Sequence, residues 1–256
     1  MACTSPNPDY ERAADANGGT GGANQIKDGP SADGGTTPSL VGAWHFEEGV
    51  GSPTAADSSY SGAVGTLTGM DPASAWVPGR KGGNALAFNP TTAAPRPSVR
   101  VALVPALRDL RRFTVAAWIY RTGTTKPAQT SIFSQQRTTD NDEIVNLCIV
   151  NDDAVVYLPN QGGGLPHEAR INQSLAFGVW IHLAATFDGA TIRLYRNGVL
   201  TASTPYAYTL PSSTNPFVIG SNVNTNSEQP FVGYLDDVMF YDGALSDTAV
   251  AALAAP

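Results

Sequence analysis

The chain has 256 residues and a formal net charge of -7, and this length suits one or two domains. Its hydrophobic content of 42%, with only 14% charged residues, excludes an intrinsically disordered chain. No apolar run reaches the about 18–20 residues of a membrane helix, and no basic patch stands out, which argues against nucleic acid as a partner. The 26 glycines and 19 prolines indicate many turns and favour an all-β fold.

Residues 1–39 have the composition of a disordered, flexible tether rich in Gly, Pro and Thr. Few apolar side chains are available there to offset the entropy of ordering. At the start, Ala2-Cys3 resembles the end of a lipobox, as in a bacterial lipoprotein cut to its mature form, with Met1 supplied for expression. The resemblance implies a lipid on Cys3, contact with the membrane only through that lipid, and a place at the bacterial cell surface or outer membrane. The alternatives are a secreted protein and a chance cysteine near a terminus.

The second cysteine, Cys148, falls in the apolar stretch 144–150. We expect it to be a small buried hydrophobic side chain. A disulfide between Cys148 and Cys3 would need an oxidising compartment, and the flexible surroundings of Cys3 argue against it.

The rest of the chain, 40–256, is predicted to be a succession of short strands separated by turns. We expect strands over 40–46, 64–67, 84–88, 99–103, 113–120, 131–135, 143–150, 154–158, 179–187, 192–197, 199–202, 217–220 and 231–241. A helical turn or loop is expected over 105–112, and a short helix over 246–252 with Ser246 as its N-cap. Many short strands without alternating helices predict a two-sheet antiparallel β-sandwich in one domain.

The clearest pattern is a hairpin over residues 179–198. Apolar residues alternate along its first strand, which places Trp180 and His182 on the opposite face from the core. Asp188-Gly189 is a strong turn signal because both residues tolerate positive φ, and Asn197-Gly198 begins a second tight turn.

This hairpin reads W-x-H-x-A-x-T-x-D-G-x-x-x-R-L-Y-x-N-G from Trp180 to Gly198. Together with the segments 44–59 and 231–246, it resembles the LamG-like jelly roll of the concanavalin A-like lectin and glucanase superfamily. The resemblance runs from about residue 40 to about residue 253. It implies a jelly-roll sandwich in which the first and last strands are neighbours, and it leaves the function open because one fold hosts many functions.

A structural Ca²⁺ site is the sharpest candidate for a metal. Calcium takes about 6–8 oxygen ligands from carboxylates, carbonyls and water. Asp236 shares parity with Val238 and Phe240, which predicts that it faces the core, where a carboxylate is costly unless it is paired or metal-bound. The resemblance implies that neighbouring first and last strands bring Asp57 and Asp236 together on one ion. The alternative is that Asp57 caps its own turn through Ser59 and that Asp236 accepts backbone hydrogen bonds.

A carbohydrate-binding face is the second candidate. Aromatic and polar side chains share outward parity on strands expected to be close together. They are Trp118, Tyr120, Trp180, His182, Arg193 and Tyr195. Flat rings stack on sugars, and arginine can fix sugar hydroxyls. The alternative is that these rings pack under loops or a second layer, since several belong to the fold motif itself. Loops 140–143, 161–167 and 222–228 are a further candidate ligand surface.

Catalytic patterns are weaker. Glycosidases of this superfamily place paired carboxylates on one strand, whereas Asp236 and Asp237 are adjacent and therefore face opposite ways. The three histidines lack metal-ligand spacing. Tyr195, His182 and Arg193 supply the residue types of a polysaccharide lyase, but they coincide with the fold motif.

The sequence therefore predicts a non-catalytic binding or adhesion module of the bacterial cell envelope that recognises a glycan or a partner protein. One alternative is a glycan-cleaving enzyme of the same fold, either a lyase or a glycosidase. The other is a structural subunit of a surface assembly.

Overall fold

The computed structural model describes residues 37–89, 95–109, 111–123, 128–136, 143–159, 167–222 and 229–256. Cys3 and nearly all of the predicted tether lie outside these residues, as do most of the three candidate ligand loops. The strands are β1 (Leu40–Trp44), β2 (Thr54–Ala55), β3 (Gly65–Thr68), β4 (Trp76–Pro78), β5 (Asn84–Phe88), β6 (Ser98–Val101), β7 (Phe113–Arg121), β8 (Gln129–Gln136), β9 (Glu143–Val150), β10 (Asp153–Leu158), β11 (His167–Ile171), β12 (Trp180–Phe187), β13 (Thr191–Arg196), β14 (Val199–Pro205), β15 (Phe217–Ile219) and β16 (Gly233–Tyr241). A 3₁₀ turn spans Pro105–Leu107, and helix α1 spans Asp247–Leu253.

The strands form two antiparallel sheets that pack as a sandwich. Sheet A has the order β14-β13-β12-β7-β16-β5-β4, with β1 also paired to β16, and sheet B has the order β11-β10-β9-β8-β15-β6-β3-β2. The predicted jelly-roll sandwich is confirmed, including the pairing of the first strand with the last, in which Trp44 lies opposite Val238.

The core between the sheets follows the alternation read from the sequence. On β7 and β12 the inward side chains are Phe113, Val115, Ala117 and Ile119, and Ile181, Leu183, Ala185 and Phe187. Phe240 of β16 lies at the centre of an aromatic cluster, with ring centroids 5.0 Å from Phe217, 5.2 Å from Phe133 and 6.0 Å from Phe113. The free thiol of Cys148 is fully buried, as expected.

A second, smaller apolar layer covers part of the outer face of sheet A. Helix α1 places Val250 and Leu253 against Ala116, Ala184 and Met239. The predicted N-cap is confirmed, because the Ser246 hydroxyl accepts a hydrogen bond from the Ala249 N–H at 3.2 Å. At seven residues α1 is too short to cross a bilayer, and within the described ranges no helix meets that requirement.

A β-bulge in β16 changes which way Asp236 points. Asp237 has φ +48°, and the register with β7 shifts between Asp236 and Met239. Asp236 consequently lies opposite Trp118 on the outer face, whereas Phe240 lies opposite Val115 in the core. The predicted core-facing orientation of Asp236 is wrong, because simple alternation fails when a bulge inserts an extra residue.

Candidate functional site

Two neighbouring rows of side chains cross the outer face of sheet A beside the part covered by α1. The aromatic row contains Trp180, Tyr120 and Tyr234, which are register partners on β12, β7 and β16. The polar row, one pleat along, contains His182, Trp118 and Asp236. Strand pairing thus brings residues that are distant in sequence onto one surface.

The aromatic row is partly exposed. Tyr120 and Tyr234 stack at 5.3 Å with an interplanar angle of 10°, and Trp180 is tilted by 58° at 5.4 Å from Tyr120. Because the two tyrosine faces meet each other, the ring edges are the parts left for a ligand. Pairing of β12 with β13 begins only at Leu183, so no β13 residue lies opposite Trp180. The row therefore offers an indole and phenol edges, which suit contact with a hydroxyl-rich ligand.

Sequence reasoning missed Tyr234. By alternation Tyr234 has the same parity as Phe240 and would face the core, but the bulge at Asp237 moves it to the outer face. An adjacent Asp-Asp pair inside an otherwise apolar strand was the available signal of an irregularity.

The polar row is buried beneath the loop that joins β4 to β5. The Arg80 guanidinium carbon lies 3.8 Å above the Trp118 ring, and the Arg80 backbone N–H donates to Asp236 Oδ2 at 3.0 Å. Trp118 also packs edge-on against His182 at 5.2 Å. The alternative interpretation, that these rings pack under another layer, holds for Trp118 and His182.

Burial shifts the pKa values of both titratable side chains in this row. Desolvation, followed by the neighbouring Asp237 charge, raises the pKa of Asp236 to about 7. Desolvation, followed by the Arg80 charge, lowers the pKa of His182 to about 4. At neutral pH His182 is therefore uncharged, and Asp236 exchanges its proton near pH 7.

The flank of the polar row holds a partly buried ionic group. Asp237 Oδ1 lies 2.7 Å from His45 Nδ1, and Asp237 Oδ2 lies 3.9 Å from Arg80 Nη2. His45 keeps 30% of its side chain exposed. This group places charge next to Asp236, on the side of the polar row away from Tyr234.

Two predicted ligand residues have structural partners instead. The Tyr195 hydroxyl donates to Asp247 Oδ1 at 2.8 Å, which ties β13 to the first turn of α1. Arg193 pairs with Asp188 at 2.6 Å across the β12–β13 turn. Of the six predicted ligand residues, Tyr120 and Trp180 therefore remain on the partly exposed row. Tyr195 and His182 are buried, and Arg193 is held by Asp188.

Asp57 does not fit the predicted calcium site. Asp57 Oδ1 accepts from the N–H groups of Ala43 and Ser59, and Oδ2 accepts from the hydroxyls of Ser59 and Ser61 and the N–H of Ala63, all at 2.8–2.9 Å. Both oxygens are saturated by donors, which leaves little capacity for a cation. Asp236 has a separate partner, the Arg80 N–H. Within the described ranges no cluster of three or more His, Cys, Asp or Glu side chains could hold a metal.

Comparison with solved structures gives the same architecture. The chain is similar to the binding domain of Paraclostridial Mosquitocidal Protein 1, at 17% identity and a TM-score of 0.64, over 84% of this chain and 52% of that chain. It is similar to Domain 4 of AbnA, a GH43 extracellular arabinanase from Geobacillus stearothermophilus in complex with arabinotriose, at 20% identity and a TM-score of 0.58, over 85% of this chain and 99% of that chain. The botulinum neurotoxin serotype G binding domain gives 16% identity and a TM-score of 0.60 over 84% and 50% of the two chains.

The chain thus spans about half the length of the two toxin binding domains, and at these identities the likeness concerns the fold alone. No curated protein matches the chain. The family model Laminin_G_3, described as concanavalin A-like lectin/glucanases superfamily, matches residues 97–251, which is more than half of the sequence. By this match and by its two-sheet jelly roll, the chain belongs to the concanavalin A-like lectin/glucanase superfamily.

Proposed function

We propose that the chain is a non-catalytic module that binds glycans through the aromatic row of sheet A. The observation that carries the proposal is the partly exposed alignment of Trp180, Tyr120 and Tyr234 in register on three adjacent strands. Rings supply apolar contact to sugar C–H groups, and phenol hydroxyls supply hydrogen bonds.

The similar solved structures support a binding role over a catalytic one. Two of the three described above are named as binding domains, and the third is a domain in complex with arabinotriose. Within the described residues, the carboxylates nearest the row are Asp236, which is buried, and Asp237, which is paired. Neither has the separated, facing partner that glycoside cleavage requires.

A glycan array followed by titration calorimetry tests the proposal, with arabinotriose as the first defined probe. Trp180→Ala, Tyr120→Phe and Tyr234→Ala are compared with Tyr60→Ala, which removes a ring that is 61% exposed elsewhere on the surface. Loss of a central aromatic contact costs about 2 kcal/mol or more, so binding should weaken at least about thirtyfold for Trp180→Ala and Tyr234→Ala and stay unchanged for Tyr60→Ala. The matched melting temperature of each variant confirms folding.

Equal binding by wild type and the row variants would overturn the assignment of the ligand surface. New reducing or unsaturated sugar ends in the same samples would instead support the glycan-cleaving alternative. If no glycan on the array binds and the chain retains a protein from the envelope, the result would favour a module that recognises a partner protein or a structural subunit.

We also propose that the chain is displayed at the bacterial cell envelope through a lipid on Cys3. The support is the Ala2-Cys3 pair, which resembles the end of a lipobox, and the Gly-rich stretch that follows it, which would act as a tether of about 5–6 Å × √n in root-mean-square reach. Intact mass spectrometry of protein made with its native leader tests this. A mature chain without diacylglycerol on Cys3 would refute it.

A further inference from the structure

One end of the sandwich carries a concentration of arginine that contrasts with the net charge of -7. The connection from β6 to β7 contains Arg108, Arg111 and Arg112, and all three are exposed. Composition alone did not reveal this cluster, because three arginines within five residues change the total charge very little.

Three segments meet at this end. The pairing of Phe113 with Phe187 places the β6–β7 connection beside the β12–β13 turn, where Arg112 approaches Gly189. The segment after β14 joins them, since the Tyr206 N–H donates to the Ala190 carbonyl at 2.7 Å. We call the surface formed by residues 105–109, 111–112, 188–190 and 206–214 the arginine end.

Two of the cationic groups at the arginine end, Arg108 and Arg111, stand out by their lack of an acidic partner among the described residues. Arg108 and Arg111 make no ion pair within the part of the chain that the structure describes. The acidic residues on the three segments are Asp109 and Asp188, and Asp188 is already paired with Arg193 at 2.6 Å. An excess of positive charge therefore faces solvent here.

The same end also provides a depression and an exposed ring. Arg108 and Asp109 line a surface depression together with the hydroxyl residues Ser212, Ser213 and Thr214. On the same segment, Tyr208 is 38% exposed and packs 5.3 Å from the His167 ring. Guanidinium groups, hydroxyls and an aromatic surface thus lie on one contiguous set of loops.

We propose that the arginine end binds an anionic glycan, with Arg108 and Arg111 contacting its carboxylate or sulfate groups and Tyr208 contacting a sugar ring. Guanidinium groups match such oxyanions through paired N–H donors and are weakly hydrated for cations. The aromatic ring and hydroxyls favour a sugar polymer over a bare inorganic anion. This surface is separate from the aromatic row of sheet A, so the two sites can succeed or fail independently.

Affinity electrophoresis of the full chain tests the proposal, with dextran, dextran sulfate, polygalacturonate and a single-stranded oligonucleotide as probes. Dextran and dextran sulfate share a backbone and differ in sulfate. We expect dextran sulfate to retain the protein, with or without retention by polygalacturonate. We expect the arginine end to contribute nothing to any retention by dextran. Retention by both anionic polymers identifies charge as the shared feature, and retention by dextran sulfate alone identifies sulfate. Retention should fall as the salt concentration rises, because binding releases counterions from the anionic polymer and added salt opposes that release.

Arg108→Gln/Arg111→Gln should weaken retention by dextran sulfate about tenfold. The double variant removes two guanidinium groups, each of which stabilises the complex through charge-assisted hydrogen bonds. The control double variant Lys81→Gln/Arg196→Gln removes the same charge elsewhere and should retain binding. Tyr208→Ala should weaken retention without changing its salt dependence.

Any of three results would overturn the proposal. They are an equal loss of dextran sulfate retention in both double variants, no retention of wild type by either anionic polymer, and tighter retention by the oligonucleotide. Trp180→Ala separates the two sites. Its loss of neutral-glycan binding with unchanged dextran sulfate binding supports both proposals, whereas its loss of dextran sulfate binding would move the anionic site to sheet A.

Discussion

The ion pair between Arg121 and Asp152 offers a sharp test of how the two sheets are held at one end. Arg121 ends β7 of sheet A, and Asp152 lies in the β9–β10 turn of sheet B. Their Nη2 and Oδ1 atoms are 2.6 Å apart, and the side chains are only 5% and 3% exposed. Arg121 also donates to the Leu175 carbonyl and lies 3.9 Å from the Phe177 ring. One guanidinium therefore joins both sheets to the segment that leads into Trp180.

Asp152→Ala should destabilise the domain strongly. Removing one partner of a buried pair leaves an uncompensated charge and costs about 3–5 kcal/mol. This is a large share of the about 5–15 kcal/mol that stabilises an ordinary domain. For about 150–250 residues each kcal/mol corresponds to about 2–4 °C, so the melting temperature should fall by about 6–20 °C.

Urea unfolding followed by tryptophan fluorescence measures this change. The matched control is Glu168→Ala, which breaks the Arg170–Glu168 pair, whose side chains are 23% and 37% exposed, and should cost less than about 1 kcal/mol. The double variant Arg121→Met/Asp152→Asn should recover part of the loss because no charge then stays buried, and asparagine tolerates the φ of +75° at position 152. A loss below about 1 kcal/mol for Asp152→Ala would refute the reasoning, since it would mean that water reaches the guanidinium.

Three further predictions concern other parts of the sandwich. Gly220→Ala should lower the free energy of unfolding in urea more than Gly62→Ala does. Both glycines have positive φ, but a Cβ at Gly220 would lie 2.0 Å from the Phe88 ring, whereas Gly62 faces open space. Equal losses would show that backbone strain, about 1–2 kcal/mol, is the whole effect. The Asp236 carboxyl binds its proton more tightly in the folded protein, so its contribution to the free energy of unfolding falls as the pH rises from about 4 to about 7. The His182 imidazole binds its proton less tightly in the folded protein, so its contribution rises as the pH rises from about 4 to about 6.5. These slopes oppose each other, so Asp236→Asn should make stability rise with pH over that window and His182→Gln should make it fall, and parallel profiles for the two variants would contradict the assignment. Asp57→Asn places an amide where Oδ2 accepts three hydrogen bonds and should lower the melting temperature equally in calcium and in chelator; a calcium-dependent midpoint in wild type that the variant loses would restore the predicted metal site.

The face of each strand could be predicted wherever alternation was unbroken. On β7 and β12 the inward residues are those that the period-two pattern indicates, from Phe113 to Ile119 and from Ile181 to Phe187. The bounds of β9 and the N-cap of α1 also agree with the sequence. Strand β11 was missed because 167–171 carries charged residues at the edge of sheet B, where one face is exposed.

The candidate site could be predicted only in part. Outward parity correctly placed Tyr120 and Trp180 on one surface, but the same parity also selected Trp118 and Tyr195, which are covered by the Arg80 loop and by α1. Alternation indicates a face of a strand and contains no information about which later segment folds over that face. Tyr234 was missed because alternation counted back from Phe240 gives it the core face, and the bulge at Asp237 has no periodic signal.

The sequence by itself determined the all-β class, the central hairpin and the alternating core, since these depend on local periodicity and turn chemistry. The pairing of the first and last strands was implied only by the resemblance of its motifs to a known family. Tertiary structure decided which outward rings stay accessible, how Asp236 becomes a buried carboxyl beside Trp118, and how Arg108, Arg111 and Tyr208 come to share one end. The physical reason is that these properties depend on distances between segments that are far apart in the chain. The local periodicity of the sequence contains no information about those distances.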